Sequence, residues 1–257
     1  MSTNGSHWRW FNLTDTIPWN FSKPNANPCY DKWQGIVCVY TLKTCAVSNL
    51  DLSHHNLSGS LPNTIGQLTN LTTLVLEYNK LTKNLPEGIG NLKQLIRLDL
   101  TVNDLTGPLP QSIGNLQSLR SIALNFNKFT KLPETFWNLT SLYQIAMIYN
   151  SFRQPLSCSI SKLIHLQSIN IGINKFSSTI PNCLSTLTSL NEFQISGNQF
   201  KGKLPSSLFT IQNLTLFAAG NNLLSGTIPK EFKNLSNLYS IYLNSNRFFG
   251  TVPIELT

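Results

Sequence analysis

The chain has 257 residues, 41% hydrophobic and 12% charged, with 19 Lys and Arg against 11 Asp and Glu for a net charge of +8. This composition excludes a disordered or highly charged chain, and no apolar run reaches the 18 residues a membrane span within it would need. The excess of cations leans toward acidic partners (anionic polysaccharide, acidic protein, lipid headgroups), but no Lys/Arg cluster of a nucleic-acid arm is present, so no nucleic acid is expected.

Segment 1–46 comes first in chain order. "MSTNGSHWRW" lacks the apolar core of a signal peptide, so the chain reads as a fragment whose natural start lies upstream. Two features indicate an oxidising, extracellular or cell-surface setting. One is the close pair Cys29 and Cys38 among five cysteines; the other is a set of eight N-x-S/T sequons, at Asn4, Asn12, Asn20, Asn56, Asn70, Asn138, Asn213 and Asn234.

From Val47 onward one sentence is repeated. After a degenerate opening copy at Val47, "LxxLxLxxN" begins at Leu71, Leu95, Leu119, Leu142, Leu166, Leu190, Leu214 and Leu238, at 24-residue steps except the 23 between Leu119 and Leu142. A period of this length marks a solenoid. Each copy opens with a short alternating strand such as "RLDL" (97–100), Leu inward, and stacking pairs these strands into a parallel sheet. A buried Asn follows (Asn79, Asn103, Asn127, Asn150, Asn174, Asn198, Asn222, Asn246; His55 in the opening copy), able to donate and accept for turn backbone that would otherwise be orphaned inside. An "LxGxLP" stretch and a segment such as "QSIGNLQS" complete the coil as a short 3-10 or α turn on the opposite side.

The pattern "LxxLxLxxNxLxGxLPxxIGxLxx" resembles the plant-type extracellular leucine-rich repeat over Val47–Thr257. "NPCYDKWQGIVC" resembles that class's N-terminal cysteine cap, with Trp33 and Gly35 between Cys29 and Cys38. The resemblance implies an α/β solenoid: a right-handed superhelix, a curved parallel sheet on the concave face and 3-10 or α turns on the convex face. The domains would be a cap over 1–46, truncated upstream, and about nine coils over 47–257. It also implies a Cys29–Cys38 disulfide. The absence of a C-terminal cap after "GTVPIELT" leads to the expectation of more protein beyond Thr257.

Cys158 and Cys183 fall one alignment position apart in neighbouring coils, close enough for a bridge or for two unlinked thiols. Cys45 either competes with Cys29 and Cys38 for a partner or is a small buried residue. The four histidines have no nucleophile or carboxylate partner at a motif spacing, and no phosphate loop or zinc spacing occurs, so neither an enzyme, a metal site nor a cofactor is expected. The outward positions of the sheet are the candidate ligand surface. The residues before five consecutive ladder asparagines, Tyr78, Val102, Phe126, Tyr149 and Ile173, form an apolar stripe roughly 19 Å long, with Ala123, Ala146 and Ile148 beside it. They either hold a ligand or merely shelter the ladder. Glu77, Arg97, Asp99 and Asp51 share this face and either grip a polar ligand or pair across strands; Lys80, Lys128, Lys175 and Arg247 form a broken basic column along one edge loop, a solvated rim or a polyanion contact.

The resulting expectation is a receptor-ectodomain-like recognition module for a protein, peptide or glycan, with a co-receptor as a further partner and any membrane anchor outside this segment. The alternatives are a secreted inhibitor of a foreign polysaccharide-degrading enzyme and a structural cell-wall or adhesion protein.

Overall fold

Each 24-residue copy closes into one coil in a computed structural model that describes residues 27, 29–30, 34–40 and 45–254. Trp33, His7 and the sequons at Asn4, Asn12 and Asn20 lie outside the described residues. A ten-stranded sheet runs the length of the solenoid in chain order. Its first two strands, Ile36–Tyr40 and Cys45–Asp51, form an antiparallel hairpin; the other eight, from Thr73–Val75 to Ser240–Tyr242, add in parallel. Register follows the repeat: Leu74 sits beside Leu98, Leu98 beside Ile122 and Ile122 beside Ile145, so the 23-residue step is absorbed without shifting this sheet.

The inward residues make one continuous core. Leu74, Leu98, Ile122, Ile145, Ile169, Phe193 and Phe217 are all buried, each stabilising the coil by about 1.5–3 kcal/mol. Phe129, Phe152, Phe176 and Phe200, two residues beyond successive ladder asparagines, stack in a second column with ring centroids 6.3, 5.7 and 6.4 Å apart.

The asparagine ladder is aligned inside the coils. Asn127 accepts from the Leu105 N–H (3.0 Å) and donates to the carbonyls of Leu100 (2.9 Å), Leu124 (3.2 Å) and Asn125 (3.1 Å). The pattern recurs from Asn79 to Asn246. His55, in the opening copy, instead meets the Ser53 carbonyl.

The opposite side consists of eight five-residue 3-10 helices among the described residues, each entered from a Pro except the one that follows Ser157. Gly88 shows how tightly they stack: a Cβ there would run into the Asn63 carbonyl of the preceding coil. Glu87 links the next coil, accepting from the N–H groups of Gln111 (3.1 Å) and Ser112 (3.0 Å).

Between ladder and 3-10 helix lies a feature absent from the sequence reading: two four-stranded parallel sheets that form one flank. The first joins Ser58–Gly59, Lys80–Lys83, Asp104–Pro108 and Lys128–Lys131; the second joins Ser177–Ser178, Gln199–Gly202, Leu223–Gly226 and Arg247–Phe248. Lys80, Lys128 and Arg247 therefore open strands instead of lining an edge loop. The sheets break at 151–154, where Gln154 occupies the place of Gly107 and other left-handed glycines. Its side-chain amide accepts from Leu132 N–H and donates to the Leu132 carbonyl, both at 3.0 Å, supplying the bonds a strand would have made.

Candidate ligand-binding face

The stripe residues stand just past the strands, at the rim of the long sheet, all in left-handed backbone. Their φ values are 53° at Tyr78, 52° at Val102, 52° at Phe126, 56° at Tyr149 and 47° at Ile173. The conformation follows from the turn into the ladder: the Val102 N–H bonds the Asn125 carbonyl (2.9 Å), while the Val102 carbonyl accepts from Asn79 N–H (3.1 Å). For β-branched Val102 and Ile173 this backbone is strained by roughly 1–2 kcal/mol, a strain that Gly197 in the next coil avoids.

Tyr78, Phe126 and Tyr149 are 50, 47 and 48% exposed. Phe126 and Tyr149 stack with centroids 4.8 Å apart and planes 15° apart; His54 and Tyr78 do the same at 4.4 Å and 11°. Rings stacked along the solenoid axis cover each other's faces and turn their edges outward.

The ladder itself tests the sheltering role. Asn103 and Asn127, preceded by Val102 and Phe126, are each 8% exposed; Asn198 and Asn222, preceded by Gly197 and Asn221, are 8% and 6%. Covering the ladder does not need a large apolar side chain.

The sheet face beside the rim is lined by neutral polar groups. Ser121 donates to Gln144 (2.9 Å), Asn170 to Gln194 (3.3 Å), and Asn125 accepts from Ile148 N–H (3.0 Å). Ile148, Ala123 and Ala146 are half-buried among them. Arg97 meets Asp99 at 3.1 Å along its own strand, an ion pair that does not cross strands; Asp99 is buried and also accepts from Thr101 N–H. Glu77 is half-buried one residue before Tyr78. A second apolar group escaped the sequence reading: Leu216 and Ala218 on one strand lie beside the strand carrying exposed Tyr242, strand positions apart from the pre-ladder column.

In the structure Cys29 and Cys38 are joined, as are Cys158 and Cys183, each with Cα atoms 5.7 Å apart. Cys45 keeps its thiol and is half-buried, not buried: it opens the strand Cys45–Asp51, and its Sγ lies 3.7 Å from Asn27 Oδ1. Of the sequons within the described residues, Asn138 and Asn234 close 3-10 helices, Asn70 and Asn213 precede the first Leu of a repeat, and Asn56 precedes the flank. No group of three or more His, Cys, Asp and Glu among the described residues could hold a metal ion, and none of their helices is long and apolar enough to cross a membrane.

The model of the leucine rich repeat family matches residues 47–68, 70–92 and 94–116. No curated protein sequence matches the chain. Among solved structures the chain is similar to the ectodomain of the Arabidopsis thaliana receptor kinase GASSHO1/SCHENGEN3, solved with CASPARIAN STRIP INTEGRITY FACTOR 2, at 29% identity and a TM-score of 0.88 over 96% of this chain and 30% of that one. It is similar to the Arabidopsis receptor kinase HAESA, in complex with the peptide hormone IDA and the co-receptor SERK1, at 30% identity and a TM-score of 0.79 over 82% of this chain and 36% of that one. The plant peptide hormone receptor RGFR1, in complex with RGF2, matches at 32% identity and a TM-score of 0.67 over 78% and 36% of the two chains. The chain thus spans 30–36% of the length of these three relatives.

Proposed function

We propose that this chain, a leucine-rich-repeat solenoid similar to plant receptor-kinase ectodomains, is a non-enzymatic extracellular module that binds an extended peptide along the rim of its long sheet. The observation that carries the reading is the equal burial of Asn103, Asn127, Asn198 and Asn222 despite their unequal neighbours. Beside it, four exposed apolar residues and half-buried Val102, all in left-handed backbone and two of the five β-branched, support a partner site retained against stability.

The surroundings favour a peptide over a glycan. Sugar recognition uses open aromatic faces, whereas Phe126 and Tyr149 close theirs against each other. The adjoining Ser121, Asn125, Gln144, Asn170 and Gln194 offer donors and acceptors for a peptide backbone lying along the solenoid axis. The stripe, roughly 19 Å long, accommodates about six extended residues. Peptide-hormone complexes of the HAESA and RGFR1 relatives support the same reading, in which a co-receptor is a further partner.

Selection of displayed random decapeptides on the folded chain tests it. Peptides so enriched are expected to lose about 100-fold in affinity, roughly 2.7 kcal/mol, on the Phe126→Ser/Tyr149→Ser variant. Equal binding to both proteins, or no enrichment on either, overturns the rim as a peptide site.

A further inference from the structure

Nine of the fifteen Lys and Arg among the described residues lie on one flank. Lys80, Lys128, Lys175 and Arg247, each following a ladder Asn, are joined there by Lys83, Lys131, Arg153, Lys201 and Lys203, three to five residues past a ladder Asn. All nine are exposed. The segments between ladder and 3-10 helices carry a single carboxylate against them, Asp104, which Lys128 engages at 2.7 Å. The convex edge adds Glu87, Glu134 and Glu231, the first two already bonded to Ser112 and to Ser157 and Ser159. The long-sheet face is the reverse: Asp51, Glu77, Asp99 and Glu192 against Arg97. A net charge of +8 spread evenly would not leave one face acidic and one flank almost wholly basic.

We propose that this flank is a docking surface for a linear acidic polysaccharide carrying one carboxylate per sugar. Three features select that partner. The cations do not converge on one point, as a site for a single phosphate or headgroup requires; they are distributed over seven coil steps, roughly 34 Å. Six of the nine (Lys80, Lys83, Lys128, Lys131, Lys201 and Arg247) stand on short parallel strands, which give most of the ribbon a regular pitch. Large apolar side chains that would insert into a membrane are few along it: Leu223, with Phe249, Val252 and Ile254 gathered at the far end. The sequons agree with this placement, since Asn70, Asn138, Asn213 and Asn234 lie off the flank and only Asn56 stands at its N-terminal end. This surface is separate from the rim, so the inference does not depend on the peptide reading.

The test measures binding of the folded chain to polygalacturonate, to its methyl ester and to vesicles containing anionic lipid, across a salt series. Polygalacturonate is expected to bind and to be released by salt, with the neutral ester not bound. Lys83→Asn, Lys131→Ser, Lys201→Ser and Lys203→Ser combined should weaken binding by more than about tenfold. Removing four cations outside the flank (Lys93, Arg120, Lys162 and Lys233, each to Ser) should leave most of it, at the same net charge. Equal losses in the two variants would reduce the effect to net charge and overturn the proposal. So would binding to the ester, or binding to vesicles without binding to the polymer.

Discussion

Coils 95–118 and 142–165 are built from the same pattern, yet they are held in different ways. In the first, backbone does the work: strand Asp104–Pro108 turns through left-handed Gly107, pairs with its neighbour, and hands over to Pro110, which enters the 3-10 helix. The second follows a coil one residue short and has neither the glycine nor the proline. Gln154 supplies bonds by its amide, Ser157 caps the helix by accepting from Ser159 N–H, and Cys158 fastens it to the next coil. When a repeat loses its spacing, side chains take over what backbone did elsewhere. Coil 95–118 should therefore be sensitive at its ladder, and coil 142–165 at its substitutes.

The sharpest way to break this contrast is Asn127→Ala, which orphans the buried Leu105 N–H of coil 95–118 and leaves the Leu100 carbonyl with only its longer bond from Asn103. A loss of about 3–5 kcal/mol in denaturant unfolding is expected; a loss below 1 kcal/mol would mean the ladder is dispensable. Replacing Cys158 and Cys183 together by Ser opens a 25-residue separation and should cost about 2–3 kcal/mol in denaturant unfolding under oxidising conditions; no loss there would mean the bridge adds nothing to this coil. Gln154→Ala should cost about 1–2 kcal/mol, visible as faster amide exchange at Leu132 and not at Leu109, whose N–H bonds the Lys131 carbonyl. Val102→Asn should go the other way, raising stability by about 1 kcal/mol by relieving left-handed strain, while weakening the peptides selected on the rim. The smallest effect concerns pH. Hydrogen bonding from the Ser112 side chain, and then from the backbone N–H groups of Ser112 and Gln111, holds the Glu87 carboxylate below its usual range. That contribution is present above the ordinary carboxylate pKa and fades as pH falls through the lowered value, so the acid limb of a stability–pH curve should be shallower in Glu87→Gln.

The interior was legible because its causes are local and repeated: Leu98, Asn103 and Leu105 announce their burial by position. The 3-10 helices were half legible, since a turn was evident but its type depends on stacking such as Gly88 against Asn63. The flank sheets were hidden because their strands are two to five residues long and the Pro nearby argues against pairing. Gln154 carries no signal in itself; only the missing residue in the coil before it marks the place. At the rim, position alone singled out Phe126 and Tyr149, but not the left-handed backbone or the closed ring faces. The Leu216–Tyr242 group was missed because it needs two neighbouring strands read together.

The ladder also has a direction. Each asparagine reaches back to finish the turn of the coil before it, as Asn103 does for Leu81 and Asn127 for Leu105. A coil is therefore completed only by its successor. Fraying that starts downstream strips its upstream neighbour and proceeds stepwise, whereas fraying from the other side meets turns already closed, so unfolding of this array has a preferred heading.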